Sequence, residues 1–180
     1  MKVLISGNKE FGIAKELSML YSNANFASRA TGFDLTTFDG QALFSKMALR
    51  HDIIIINSAL WKFSQTVLLD TVYKKLIERK KSPRIICIGS TTDRVKNGKA
   101  WLYNAEKKAL RDYCNTLAIG GVWSNVPKVT YISFGTLSNN QEKHPDRTCL
   151  DIKKAASYIK WVIDQPKDIN INEISLDPIQ

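Results

Sequence analysis

Ser90, Tyr103 and Lys107 are the residues of this chain whose types and spacing suit joint chemistry. They lie in "RIICIGSTTDRVKNGKAWLYNAEKKALRDY", residues 84–113. There an apolar run, Ile85-Ile86-Cys87-Ile88, stops at Gly89-Ser90, and helical spacing begins near Trp101. Tyr103 and Lys107 are one helical turn apart and share a helix face. An ammonium beside a phenol stabilises phenolate, so Lys107 is expected to lower the Tyr103 pKa from about 10 towards neutrality. A tyrosine tuned this way exchanges a proton with an alcohol or carbonyl oxygen, and a serine hydroxyl opposite orients that oxygen. The set suits hydride transfer, in which a nicotinamide performs the redox step and the protein handles the proton. A Tyr-x-x-x-Lys pair alone is equally a core aromatic beside a solvated lysine. Its force here comes from the strand-end serine that precedes it.

The elements that must position these residues alternate along the chain. Apolar runs at Met1–Ser6, Asn25–Ser28, 52–59, Arg84–Ser90, Lys128–Phe134 and Ile169–Leu176 predict strands. Helical spacing predicts helices over Gly12–Tyr21, Asp39–Leu49, Ser64–Lys80, Trp101–Leu117 and Leu150–Asp164. The run "DIIIINSA" has four consecutive isoleucines and no polar alternation, as expected of a parallel strand buried on both faces. This order predicts an α/β fold, a Rossmann-like doubly wound parallel sheet, formed by residues 1–180 as a single domain. Residues 135–148, polar and with Pro145, are expected to form a loop or lid. In such sheets the ligand lies beyond the carboxyl ends of the strands. Gly7-Asn8, Ser28-Arg29, Asn57-Ser58-Ala59, Ser90 and Phe134-Gly135 stand at those ends.

Bulk properties narrow the class. The chain has 180 residues, 44% hydrophobic and 24% charged, with one core's worth of apolar sequence and no run of about 20 apolar residues to span a bilayer. "MKVLISG" reads as a strand and not a signal peptide, so a cytoplasmic location is expected, with no membrane partner. Cys87, Cys114 and Cys149 lack metal-ligand spacing and read as reduced residues. His51 and His144 stand alone, so no metal is expected. The net charge of +9 is dispersed in short clusters such as "KKLIERKK" and "KNGK", without a nucleic-acid motif, so no nucleic-acid partner is expected. Trp61, Trp101, Trp123 and Trp161 read as core or subunit contacts, with Trp101 and Trp161 also able to line a substrate pocket.

Taken in order, these stretches resemble the short-chain dehydrogenase/reductase family over nearly the whole chain. "SGNKEFGIAKEL" looks like its glycine-rich phosphate turn, and "DIIIINSA" like its Asp-Ile-Leu-Val-Asn-Asn-Ala-Gly strand. "RIICIGS…YNAEKKAL" looks like its serine strand and Tyr-x-x-x-Lys helix, and "VTYISFG" stands where the family strand ends in Pro-Gly. The tail "DININEISLDP" is similar to the ending of the NADP-dependent 3-hydroxy acid and serine dehydrogenase branch. The chain departs from the pattern in several places. Gly12 comes one step late, Phe11 takes the second glycine position, Ala14 the last, and Phe134 replaces the proline. The fourth catalytic residue of the family, an asparagine, has no clear counterpart, with Phe63 or Ser64 near its position. The segment after Gly135 is short, so the usual substrate-covering helices are missing or reduced.

The resemblance implies Ser90, Tyr103 and Lys107 as the catalytic set. It implies a cofactor site from Gly7, Asn8, Phe11, Gly12, Asn57, Ser58, Ala59, Phe134, Gly135 and Thr136, with Tyr103 and Lys107. Asp34-Leu35 resembles the pair that meets the adenine ring. After the second strand the chain offers Ser28-Arg29 and no adjacent acid, which suits the 2′-phosphate of NADP(H). The expected activity is NADP(H)-dependent oxidoreduction of a carbonyl or alcohol. The alternative is an idle NADP-binding protein of the same fold that senses redox state or scaffolds a partner. Apolar residues on helices 64–80 and 101–117, where family members pair, lead to an expected homodimer or homotetramer.

Overall fold

A computed structural model describes residues 1–94, 101–121 and 125–179. "KNGK" and Trp123 lie outside the described residues. Among the described residues, six strands form one sheet: β1 (Val3–Ser6), β2 (Asn25–Ala27), β3 (Ile53–Ile56), β4 (Arg84–Ser90), β5 (Lys128–Phe134) and β6 (Glu173–Leu176). Their order is β2-β1-β3-β4-β5-β6, and every pairing is parallel. The crossovers are α1 (Gly12–Leu20), α2 (Phe38–Ala48), α3 (Ser64–Glu78), α4 (Leu102–Gly121) and α5 (Ile152–Ile163).

The two-residue period of a strand divides the core in two. Ile54 and Ile56 face one cluster, with Phe44 of α2, Leu68, Leu69, Val72 and Leu76 of α3, and Leu110 and Cys114 of α4. Ile53 and Ile55 face the other, with Ile13 and Leu17 of α1 and Ala155, Ile159 and Val162 of α5. The isoleucine run is therefore buried on both sides, which is why it shows no polar alternation. The chain leaves β1 towards β2 and returns past it to β3, so the winding reverses between β1 and β3 and opens a crevice at their carboxyl ends.

Small differences from the sequence reading have local causes. The last strand starts at Glu173 and not Ile169, because Asn170 instead spends its side-chain amide on Val129 O (3.1 Å) and Asn172 Oδ1 (2.8 Å). The polar segment after β5 contains a 3₁₀ turn over Ser138–Lys143. The Gln141 amide donates to the carbonyls of His144, Pro145 and Arg147, which closes this loop on itself. His51 is structural: its ring nitrogens contact Met47 O at 2.7 Å and Asn25 Oδ1 at 2.8 Å.

Arg84, at the start of β4, anchors the opposite end of the sheet. Its guanidinium donates to the carbonyls of Val162 (2.6 Å), Ile163 (3.2 Å), Gln165 (3.3 Å), Pro166 (3.1 Å) and Ile169 (3.0 Å). Val162 and Ile163 close α5, where carbonyls run short of helical partners and a cation is favoured by the helix dipole; the other three carbonyls belong to the segment that follows. Arg84→Met should remove these hydrogen bonds and cost about 2–4 kcal/mol. Urea unfolding should show the loss as a lower midpoint at unchanged slope.

Candidate active site

The turn after β1 is built around close approach. Gly7 has φ +141, and a Cβ on it would lie 2.9 Å from Asn57 Nδ2 and 3.2 Å from the Ala14 methyl. Only glycine fits that position. Ser6 ties the two strands of the crevice together: its buried hydroxyl oxygen accepts from the N–H groups of Asn57 (2.9 Å) and Ser58 (3.0 Å). Sequence reasoning passed over Ser6, although a hydroxyl at a buried strand end was the available signal. Asn8 holds the turn locally, accepting from Glu10 N–H at 3.1 Å. Phe11 is exposed and precedes α1 in extended conformation, while Gly12 takes φ +62. The late glycine thus supplies the left-handed residue, and the first-turn N–H groups of α1 remain available to an anion.

After β2, Ser28 opens a 3₁₀ turn, Arg29–Thr31. Thr31 Oγ1 accepts from Ser28 N–H at 2.9 Å. The Ser28 hydroxyl itself is buried with no partner among the described residues. Arg29 is exposed. The Asp34 carboxyl is held below its usual range, mainly by the Thr36 hydroxyl (2.6 Å) and also by the Thr36 N–H (3.0 Å) and the nearby Arg29. Leu35 is buried in the core beside it. On the far side of the site Phe134 is buried in the core, so its side chain turns away from the crevice. Gly135 donates to Leu176 O (2.8 Å) and faces Pro178, and Thr136 O accepts from Leu150 N–H (2.7 Å).

Ser90, Tyr103 and Lys107 come together. The Ser90 hydroxyl is hydrogen-bonded to the Tyr103 phenol, and Lys107 Nζ lies 5.3 Å from the Tyr103 ring centroid. The electrostatics differ from the sequence expectation. The Tyr103 phenol is raised above its ordinary pKa, first by burial and then by the Glu106 carboxylate, with only the Ser90 hydrogen bond opposing. The cause is the path of Lys107: its ammonium lies over the ring face and donates to Gln65 Oε1 at 2.5 Å. Lys107 is buried, and desolvation holds its pKa down to about 8, against the opposing pull of Cys87 and Glu106.

Gln65 is the main residue that sequence reasoning missed. It stands in the first turn of α3, next to Ser64 and Phe63, the positions expected near the fourth catalytic residue. Its amide donates to Ile56 O (3.2 Å) and Ile88 O (2.8 Å), so it bridges β3 and β4 while holding Lys107. Behind Ser90, Tyr131 is fully buried. Its hydroxyl donates to Asp93 Oδ2 at 2.8 Å and is hydrogen-bonded to the Ser90 backbone. A Cβ on Gly89 would lie 1.9 Å from that hydroxyl, so the glycine before Ser90 makes room for this support.

Two indoles flank Tyr103. Trp61 and Trp101 each have a ring centroid 5.3 Å from that of Tyr103, tilted by 50° and 39°. Neither is a core residue: Trp61 is 62% and Trp101 51% exposed. Trp161 is likewise exposed, on α5. Lys62 and Phe63, after Trp61, have φ 57 and φ 60. Left-handed non-glycine residues cost on the order of 1–3 kcal/mol each. The buried Glu106 opposes that strain, its Oε1 accepting from Lys62 N–H at 2.7 Å.

No family model matches the sequence, and no curated protein matches it. Solved structures do. A serine dehydrogenase complexed with NADP+ is 16% identical with a TM-score of 0.74, over 98% of this chain and 94% of that one. A short-chain dehydrogenase/reductase family protein is 18% identical with a TM-score of 0.76, over 98% and 95%. An alcohol dehydrogenase from the archaeon Thermococcus sibiricus, complexed with 5-hydroxy-NADP, is 14% identical with a TM-score of 0.74, over 97% and 95%. The fold is that of the short-chain dehydrogenases/reductases.

The buried lysine generates a pH prediction. Its folded pKa, about 8, lies below the ordinary 10.5. Its burial therefore destabilises the protein below pH 8, and the penalty is relieved as pH rises through the window from 8 to 10.5. Lys107→Met removes this dependence. The unfolding free energy of wild type minus variant should rise by on the order of 3 kcal/mol between pH 7 and pH 10.5. Denaturant titrations across that range measure it, and a flat difference contradicts the buried ammonium.

Proposed function

We propose that the chain is a pared-down short-chain dehydrogenase/reductase, an NADP(H)-dependent oxidoreductase acting on a carbonyl or alcohol. The observation that carries the reading is the Ser90 hydroxyl bonded to the Tyr103 phenol at the carboxyl edge of β4, with Lys107 under the ring. The NADP complexes among structures of this fold add support.

The residues present fit the cofactor. The Gly7 cradle and the first turn of α1, with Asn8, Phe11 and Gly12, suit a pyrophosphate. Arg29 and the unpartnered Ser28 hydroxyl suit a 2′-phosphate, and Asp34 suits the adenosine side, whereas the Leu35 side chain is buried in the core and faces no ligand. Asn57, Ser58 and Ala59, which follow β3, and Gly135 and Thr136, which follow β5, suit the rest of the cofactor. When bound, NADPH supplies a hydride to the substrate carbon. Ser90 holds the substrate oxygen, and Tyr103 gives that oxygen its proton. The raised Tyr103 pKa keeps the phenol in its protonated, donating form. Lys107, its ammonium over the ring face and held by the buried Gln65, is the cation placed beside the phenolate left behind. The exposed Val67 and Ile77 on α3 and Ile119 on α4 suit pairing of two copies through these helices.

A second reading, an NADP-binding protein without turnover, is favoured by the commitment of Lys107 to Gln65. Two variants separate the readings. Tyr103→Phe should lower NADPH-dependent carbonyl reduction by about 10²–10⁴-fold while leaving NADPH affinity near wild type. Turnover near wild type rejects the enzyme reading, and cofactor binding without turnover on any carbonyl supports the idle one. Arg29→Ala should erase a preference for NADPH over NADH of roughly 10- to 150-fold, leaving NADH affinity nearly unchanged. Fluorescence titration of both cofactors reads it, and equal wild-type affinities exclude Arg29 from the site.

A further inference from the structure

We propose that the substrate has a planar apolar body, an aryl or conjugated aldehyde or ketone, seated against the indoles of Trp61 and Trp101. The proposal rests on the oxidoreductase reading and names the substrate class of that same site. Both indoles pack at a tilt against the ring of Tyr103, whose hydroxyl meets Ser90. A carbonyl oxygen held by those two hydroxyls therefore has its substituents near the indoles of two exposed residues. Leu102 and Phe63, also exposed, extend the apolar surface.

Exposed tryptophans alone carry little, but Trp61 is fixed at a cost. Two successive left-handed residues follow it, and the buried Glu106 holds their backbone. Strain maintained by a buried carboxylate marks a surface whose shape is kept for a ligand. Glu106 also discriminates. Its carboxylate is close enough to raise the Tyr103 phenol, so it repels a substrate carboxylate at the same place. Small polar carbonyls gain nothing from indole faces. A flat apolar carbonyl gains stacking and burial together.

The test uses the full chain with NADPH and three probes: 2-naphthaldehyde, hexanal and pyruvate. Conjugation makes 2-naphthaldehyde the less electrophilic aldehyde, so a preference for it reports binding. Its kcat/KM should exceed that of hexanal by at least about tenfold, and that of pyruvate by more. Trp61→Ala should raise KM for 2-naphthaldehyde by about tenfold, whereas Trp61→Phe, which keeps an aromatic face, should stay within about threefold. Equal kcat/KM for the two aldehydes, or pyruvate as the best substrate, overturns the proposal while leaving the oxidoreductase reading intact. If none of the three is reduced, the reading of the reaction fails at this site. Calorimetry with 2-naphthamide, which carries no reducible carbonyl, then decides the wall by itself. Binding that Trp61→Ala removes upholds the planar apolar site, and no binding to wild type rejects it.

Discussion

The contact between Lys107 and Gln65 is the constraint on which the site depends. A lysine ammonium in a protein interior is tolerated only with an acceptor, because desolvation disfavours the charge. Gln65 Oε1 is that acceptor, and this fixes the direction of the carboxamide. Its amide nitrogen is then left facing Ile56 O and Ile88 O, the carbonyls at the ends of β3 and β4. One side chain therefore couples a catalytic candidate to the two strands whose ends form the crevice. It also sets the distance between α3 and α4, which carry Gln65 and Lys107.

The architecture was legible because its signals are local. Four isoleucines in a row, the β4 run ending in Gly89-Ser90, and the Tyr103/Lys107 spacing depend only on neighbours in sequence. Every expected strand and helix is present, with ends shifted by a few residues. The environment of the site was not legible, since it rests on polar contacts between residues far apart in sequence. Lys107 was assigned to the Tyr103 phenol because helical spacing places them on one face. That spacing carries no information about Gln65, which competes for the ammonium from another helix. Tyr131 and Asp93 were invisible for the same reason: their bond spans 38 positions and is made inside the core. Of the two readings of the tryptophans, core or subunit contact, the core one fails for Trp61, Trp101 and Trp161, which are exposed; the two left-handed residues after Trp61 are a backbone feature that composition does not encode.

The departures in the phosphate turn show how a motif can shift and keep its physics. What the turn requires is one residue without a side chain where Asn57 approaches and one left-handed residue where the chain enters α1. Gly7 meets the first need and Gly12 the second, with Phe11 turned outward between them. Around Tyr103 a comparable economy operates. Where the resemblance leads one to expect covering helices, a short strained turn and two indoles stand beside the phenol.

The all-parallel sheet also bears on how the protein reaches this state. No strand pairs with its neighbour through a hairpin, so each pairing in β2-β1-β3-β4-β5-β6 must close a long loop before it is rewarded. Ser6, at the end of β1, meets Asn57 and Ser58 only once β1 and β3 are side by side, with all of β2 and α2 looped out between them. Gln65 finds its carbonyls only when β4 has joined as well. Without those pairings there is no crevice, and Lys107 lacks the held carboxamide that accepts from it. The crevice and the buried lysine thus rest on the same strand pairings, and a change that weakens those pairings weakens both.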